Sequence, residues 1–148
     1  MNSIDLERRI GRQPVFLDTN ILVYTVDKHD QAKQGQAREL LRWLEDEGTP
    51  IISSQVLMEF YNATTIKLKI APLQARQLLE GLMRMTVVVT DAMLIRRAVD
   101  TSILAQISFW DAAIVVAAAH AGCALLLSED LTKGRVINSV KVMNPFTD

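Results

Sequence analysis

The sequence predicts a three-layer α/β/α domain built on a parallel sheet. Three observations carry that expectation. Short, almost purely apolar runs recur along the chain, the pattern of strands buried on both faces. Longer segments with apolar residues at i, i+3, i+4 and i+7 alternate with them. The length, 148 residues, suits one such domain with its own core.

Each element has its own signal. Val15, Phe16 and Leu17 read as the first strand, followed by an apolar helix start over 20–27, with Thr19 or Asn20 as its cap. Ala37, Leu40, Leu41 and Leu44 form a helical stripe that Gly48 and Pro50 end. Ile51 and Ile52 make the second strand. Ser53 or Ser54 then caps a helix running to about residue 69. Pro72 suits the first turn of the next helix, whose stripe is Ala75, Leu78, Leu79 and Leu82. Residues 86–89 form the third strand. Asp91 opens a helix expected to turn Ile95, Ala98 and Val99 inward. Residues 109–121 are apolar nearly all round, so that helix belongs at the centre. A fourth strand over 124–127, a turn at Lys133 and Gly134, and a short fifth strand, Val140 to Met143, complete the pattern. Residues 1–13 precede the periodic region and are expected to form an N-terminal arm or short helix; 14–148 form the domain.

Composition narrows the function classes. Hydrophobic residues make up 49% and charged residues 22%, as in an ordinary globular protein. The single cysteine, Cys123, lies in an apolar run and reads as a buried structural thiol in a reducing, cytoplasmic compartment. The N-terminus is charged and has no apolar core of a signal peptide. The longest apolar stretch is broken by His120 and Gly122, which makes it a buried helix followed by a strand rather than a membrane span. Net charge is −1, so any attraction for nucleic acid must be local. Lys28, Arg38, Lys67, Lys69, Arg96, Arg97, Lys133 and Arg135 are the candidates for a basic rim, and the sequence singles out none of them.

Open α/β sheets bind ligands beyond the carboxyl ends of their strands. That rule selects Asp18, Asp130 and Asp91. Two further acids sit on helices: Glu59, on a polar stripe with Gln55 and Asn62, and Asp111, which opens the central helix and with Ser108 has the spacing of a capping box. Each has an ordinary structural explanation: Asp18, Asp91, Asp111 and Asp130 as cap or turn residues, and Glu59 as a solvated helix position. Carboxylates that converge without His or Cys favour hard cations such as Mg²⁺ or Mn²⁺, which serve phosphodiester hydrolysis without a protein nucleophile.

Taken together, the segments FLDTNILVY, SSQVLMEFYNAT, SFWDAAIVVAAAHAGC and LLLSEDL resemble the four motifs of the PIN-domain family, and within it the VapC-type toxins of toxin–antitoxin pairs. The resemblance spans about residues 14–147. It implies a sheet of order 3-2-1-4-5 and a Mg²⁺- or Mn²⁺-dependent ribonuclease. Asp18, Glu59, Asp111 and Asp130 would be the catalytic, metal-binding acids, and Asn20 and Ser128 would orient carboxylates or contact phosphate. It further implies an RNA substrate, a cognate antitoxin and a homodimer. Asp91 matches no motif. The alternative is a PIN-fold module that binds RNA or protein without cutting. A phosphoacceptor domain would need adjacent acids after the first strand, where this chain has Asp-Thr-Asn; a dehalogenase-like phosphatase would need Asp-x-Asp, and Asn20 holds the second position.

Overall fold

The computed structural model describes residues 2–131 and 134–147; Lys133, half of the expected turn, lies outside them. The elements run α1 Ser3–Ile10, β1 Pro14–Leu17, α2 Thr19–Tyr24, α3 Gln31–Glu47, β2 Thr49–Ser53, α4 Ser54–Asn62, α5 Pro72–Leu82, β3 Thr86–Val88, α6 Ala92–Ala105, α7 Phe109–His120, β4 Leu125–Leu127, β5 Val136–Ile137 and β6 Val140–Met143. The strands form one sheet of order β3-β2-β1-β4-β6-β5. Every pairing is parallel except β5 with β6.

The sheet is the expected one with an addition at its edge. The strand anticipated as the fifth is β6, and it lies beside β4 as the order 3-2-1-4-5 requires. The correction is β5, a two-residue strand that pairs antiparallel on the outside of β6. Asn138 and Ser139 join them, with φ of 50° and 64°, the left-handed backbone that two-residue hairpins use. The usual glycine is absent, and so was the sequence signal.

Burial follows the predicted central strands, whereas the third, at the sheet's edge, ends at Val88 and leaves Thr86 and Val89 exposed. Val15, Phe16 and Leu17 of β1 and Leu126 and Leu127 of β4 are fully buried. Helix α7 is buried from Ala112 to Ala118, as its all-round apolar surface requires. Gly48 ends α3 where a Cβ would stand 2.8 Å from Leu44 Cδ2 and 3.1 Å from its Cα, so a side chain there would require Leu44 to shift.

Helix α6 departs from expectation. Ala98 is buried, but its companions are Leu94 and Thr101, while Ile95 and Val99 are exposed. The stripe that meets α7 lies one residue round the helix from the predicted one, and an apolar face is left uncovered. Helix α4 is also shorter than predicted. After Asn62 the chain widens into one π-helical turn, Ala63–Lys67. There the Thr64 and Thr65 hydroxyls donate to the carbonyls of Phe60 and Tyr61, each at 2.8 Å, competing with the regular ladder.

The N-terminal segment folds as α1. Asn2 caps it, accepting from Asp5 N at 2.9 Å, and Leu6 and Ile10 enter the core. Among the described residues, no single helix is long and apolar enough to cross a membrane. Cys123 is buried, and burial pushes its thiol up to about 11.

Candidate active site

The register places two polar residues side by side at the end of the central strands. Leu17 of β1 pairs with Leu127 of β4, so the next residues, Asp18 and Ser128, emerge together at the carboxyl edge. The Asp18 N–H still donates to Leu127 O at 3.0 Å, and the Ser128 N–H to Met143 O at 3.0 Å. Both side chains are buried. Ser128 Oγ donates to Asp18 Oδ2 at 2.7 Å and accepts the N–H groups of Asp130 and Leu131 at 3.2 and 3.3 Å. One hydroxyl therefore fixes both the carboxylate and the loop that carries Asp130.

Asp18 is the N-cap of α2, one of the ordinary roles open to it in the sequence, where Thr19 and Asn20 are the other candidates. Its Oδ1 accepts from Thr19 N at 2.7 Å. Thr19 Oγ1 in turn donates to Glu59 Oε2 at 2.9 Å. The Asn20 amide donates to Asp130 Oδ2 at 3.0 Å and lies 3.3 Å from Asp18 Oδ2; its carbonyl accepts from Glu129 N at 3.1 Å. The first turn of α2 thus meets three of the four predicted acids.

Glu59 is held on its other oxygen by Gln55, whose Nε2 donates to Oε1 at 2.7 Å and to Trp110 O at 3.1 Å. That second bond ties α4 to the start of α7. Because α7 runs back before β4, its first turn lies at the same sheet edge as Asp18. Asp111 follows Trp110 there; its N–H donates to the capping Ser108 Oγ at 3.1 Å. Among the described residues, no hydrogen bond to the Asp111 carboxylate is present. Asp91, set aside in the sequence, caps α6 and accepts from Leu94 N at 2.8 Å.

Burial pushes the Asp18 carboxyl up from 3.8 to about 6; the bonds from Ser128 and Thr19 oppose this, and the charges of Glu59 and Asp130 add to it. Thr19 and Gln55 belong to this network and were missed as site residues. Their signals were adjacency to Asp18 and the i, i+4 spacing of Gln55 and Glu59. Asn62, predicted on the same stripe, is exposed and joins nothing here. Among the described residues, no three acid, histidine or cysteine side chains stand close enough together to enclose a metal ion. Asn20, Ser128, Thr19 and Gln55 occupy the space between the carboxylates instead. The donor chemistry nevertheless fits a hard divalent cation: all four acids offer oxygen, Asp18 is buried against its preference, and the Asp111 carboxylate is uncommitted.

These features define an open parallel α/β protein with an acid and hydroxyl network at the carboxyl edge of its two central strands. The PIN-domain family model matches residues 15–134, and the chain belongs to that family. No curated protein sequence matches it significantly. Among solved structures, VapBC2 from Rickettsia felis, bound to a DNA fragment from its promoter, is similar with a TM-score of 0.64 and 22% identity, covering 89% of this chain and 98% of that one. A toxin–antitoxin complex from Klebsiella pneumoniae gives 0.63 and 18%, covering 88% and 97%. VapC20 from Mycobacterium tuberculosis, a toxin that cleaves the sarcin–ricin loop, gives 0.58 and 18%, covering 76% and 86%. At these identities the likeness is one of fold.

Proposed function

We propose that the protein is a metal-dependent endoribonuclease, a hydrolase of RNA phosphodiester bonds, and the toxin of a type II toxin–antitoxin pair. The observation that carries the reading is the buried Asp18 carboxyl, raised to about 6 with Glu59 and Asp130 adding to the repulsion. A buried carboxylate beside other acids gains most from a cation. Asp18, Glu59, Asp111 and Asp130 are the residues that would hold Mg²⁺ or Mn²⁺. Bound there, such an ion offsets the carboxylate repulsion, acidifies water and stabilises charge developing on phosphate oxygens.

The chain's own contribution is positioning. Thr19 N–H, Ser128 and Asn20 hold Asp18 in one orientation. Asn20 fixes Asp130. Glu59, held on both oxygens by Thr19 and Gln55, would complete the metal's surroundings or orient the attacking water. The water would attack phosphorus in line, the P–O3′ bond would break, and the proton the water gives up would be balanced by the one the departing 3′ oxygen takes up from solvent.

The reading includes protein partners and a cytoplasmic location. The solved relatives include a toxin–antitoxin complex, which supports a cognate antitoxin. The uncovered apolar face of α6 at Ile95, Val99, Ile103 and Leu104 supports a homodimer contact.

The test is a cleavage assay on purified protein with Mn²⁺ or Mg²⁺ and with chelator. Metal-dependent cutting is expected. Cutting that persists equally in chelator would end the metal-dependent reading, whereas a protein that binds an antitoxin yet cuts no RNA with Mn²⁺ present would favour the binding module.

A further inference from the structure

We propose that the cavity between the α2–α3 loop and the chain after α4 is a second nucleic-acid site, one that takes the phosphate backbone of single-stranded RNA as it leaves the acidic edge. The inference rests on the nuclease reading and specifies where substrate lies beyond the cut. The cavity has a volume of about 430 Å³ and is lined by Lys28, His29, Arg38, Lys69 and Gln74, with Ile70 and Leu78 among its apolar walls.

Charge is the first argument. Sequence alone left eight basic residues undistinguished; the fold brings three of them, Lys28, Arg38 and Lys69, around one concavity. No carboxylate lines it. Among the described residues, the ion pairs are His29 with Asp27, Lys33 with Glu129 and Arg76 with Glu80; none involves these three cations. The nearest acid in sequence, Asp27, is buried and turned to His29, accepting its N–H at 2.9 Å and meeting its ring at 3.0 Å. In a chain of net charge −1, three unmatched cations around a hollow form a local positive field that a row of phosphates satisfies.

Position is the second argument. Helix α2 starts at Asp18 and spans Thr19–Tyr24, so the loop holding Lys28 begins roughly 9 Å from that acid at 1.5 Å per residue. Along α4 and the turn after it, Lys67 lies on the order of 12 Å beyond Glu59 by the same rise. Both segments start at the acidic edge and lead to residues that line this cavity, Lys28 beyond the first and Lys69 beyond the second. Arg38 is already oriented, its Nε donating to Thr25 O at 2.7 Å. Lys69 holds a φ of 56°, a backbone that Gly or Asn adopts at less cost, yet the residue here is a cation. The apolar walls suit the face of a base, while Gln74 adds a neutral donor.

The test measures binding of a short fluorescent single-stranded RNA in chelator, where nothing is cut, for the wild type and for a Lys28→Gln, Lys69→Asn variant. Both positions are exposed, and Asn tolerates the left-handed backbone. We expect about tenfold weaker binding, with the slope of log affinity against log salt flattened by about 1.4, at ~0.7 per lost phosphate contact on a single strand. Mn²⁺ binding at the acids is expected to stay as in the wild type, which separates this site from the catalytic one. Unchanged RNA affinity and salt slope in a variant that still binds Mn²⁺ and cleaves would overturn the proposal. Inorganic phosphate that saturates the cavity without displacing RNA would overturn it too, assigning the hollow to a free anion. Failure of the wild type to bind Mn²⁺ or cleave would count against the nuclease reading, while the anisotropy difference would still report on the cavity.

Discussion

Glu129 and Asp130 are neighbours in sequence, and the fold treats them in opposite ways. Glu129 is matched by a cation: Lys33 Nζ stands 2.7 Å from Oε2 while Tyr24 OH donates to Oε1 at 2.8 Å. The same ammonium lies over the rings of Tyr24 and Phe146, at 4.9 and 5.6 Å from their centroids, and those rings meet edge to face. The hydrogen bond that Lys33 donates to Glu129 holds the ammonium's pKa above its ordinary value. Among the described residues, the Asp130 carboxylate receives only the neutral amide of Asn20. Asp18 and Glu59 are likewise held by hydroxyl, amide and backbone donors. A neutral donor fixes a carboxylate's direction while leaving its demand for positive charge unmet. One residue apart, the chain shows a finished ion pair and a group still seeking a cation.

The largest expected effect lies on the unmatched side. Asp18→Asn or Asp111→Asn should reduce metal-dependent RNA cleavage by more than ~100-fold, because charge stabilisation at the reacting phosphate is lost with its ligands. Gel-based rates on folded variants check this; full activity in Asp111→Asn would remove that residue from the site.

The next effect is on stability against pH in chelator. Asp18 moves from 3.8 to about 6 on folding, so the folded state keeps this proton longer. Its contribution therefore weakens the fold as pH rises through that window, by up to about 3 kcal/mol at 1.36 kcal/mol per pH unit. Urea midpoints should show wild-type stability falling relative to Asp18→Asn from pH 4 to 7. Mn²⁺, which binds the ionised form, should shrink the fall. Parallel curves for the two proteins in chelator would contradict the burial argument.

The matched pair should respond more gently. Lys33→Met is expected to cost about 1 kcal/mol, since the pair is partly buried and charge-assisted. The variant also leaves Glu129 without a cation beside the Asp130 loop, so Mn²⁺ affinity should shift while Ser128 and Asn20 keep the acids in place. The smallest effect belongs to Arg76 and Glu80, an exposed pair at 3.6 Å. Arg76→Ala should change the midpoint by only a few tenths of a kcal/mol. A larger loss there than at Lys33 would invert the ranking.

Much of this was legible in the chain. Apolar runs located the parallel strands, and the rule of strand carboxyl ends singled out Asp18 and Asp130 without coordinates. Asp91 passed the same test and, like Asp18, caps a helix, but among the described residues its carboxylate bonds only within α6 and not to the network around Asp18, a difference that leaves no trace in sequence. The matching of partners was hidden. Asp18 meets Ser128 through a parallel register, and Thr19 meets Glu59 across 40 positions; neither distance has a periodic signature. Helix α6 defeated the burial reading for a related reason. Leu94 and Ala98 compete with Ile95 and Val99 as stripes of similar apolarity, and contact with α7 decided between them. The π-helical turn needed two threonine hydroxyls to fold back on the helix, which spacing does not encode.

The hairpin at the margin of the sheet has a consequence for how this chain behaves in a concentrated solution. Without β5, the four residues of β6 would offer an open ladder of amide and carbonyl groups to any extended peptide. With it, the outermost strand has two residues, and the opposite margin, β3, has three. Such short borders give a stray chain little to grow on, so self-association through added strands is disfavoured.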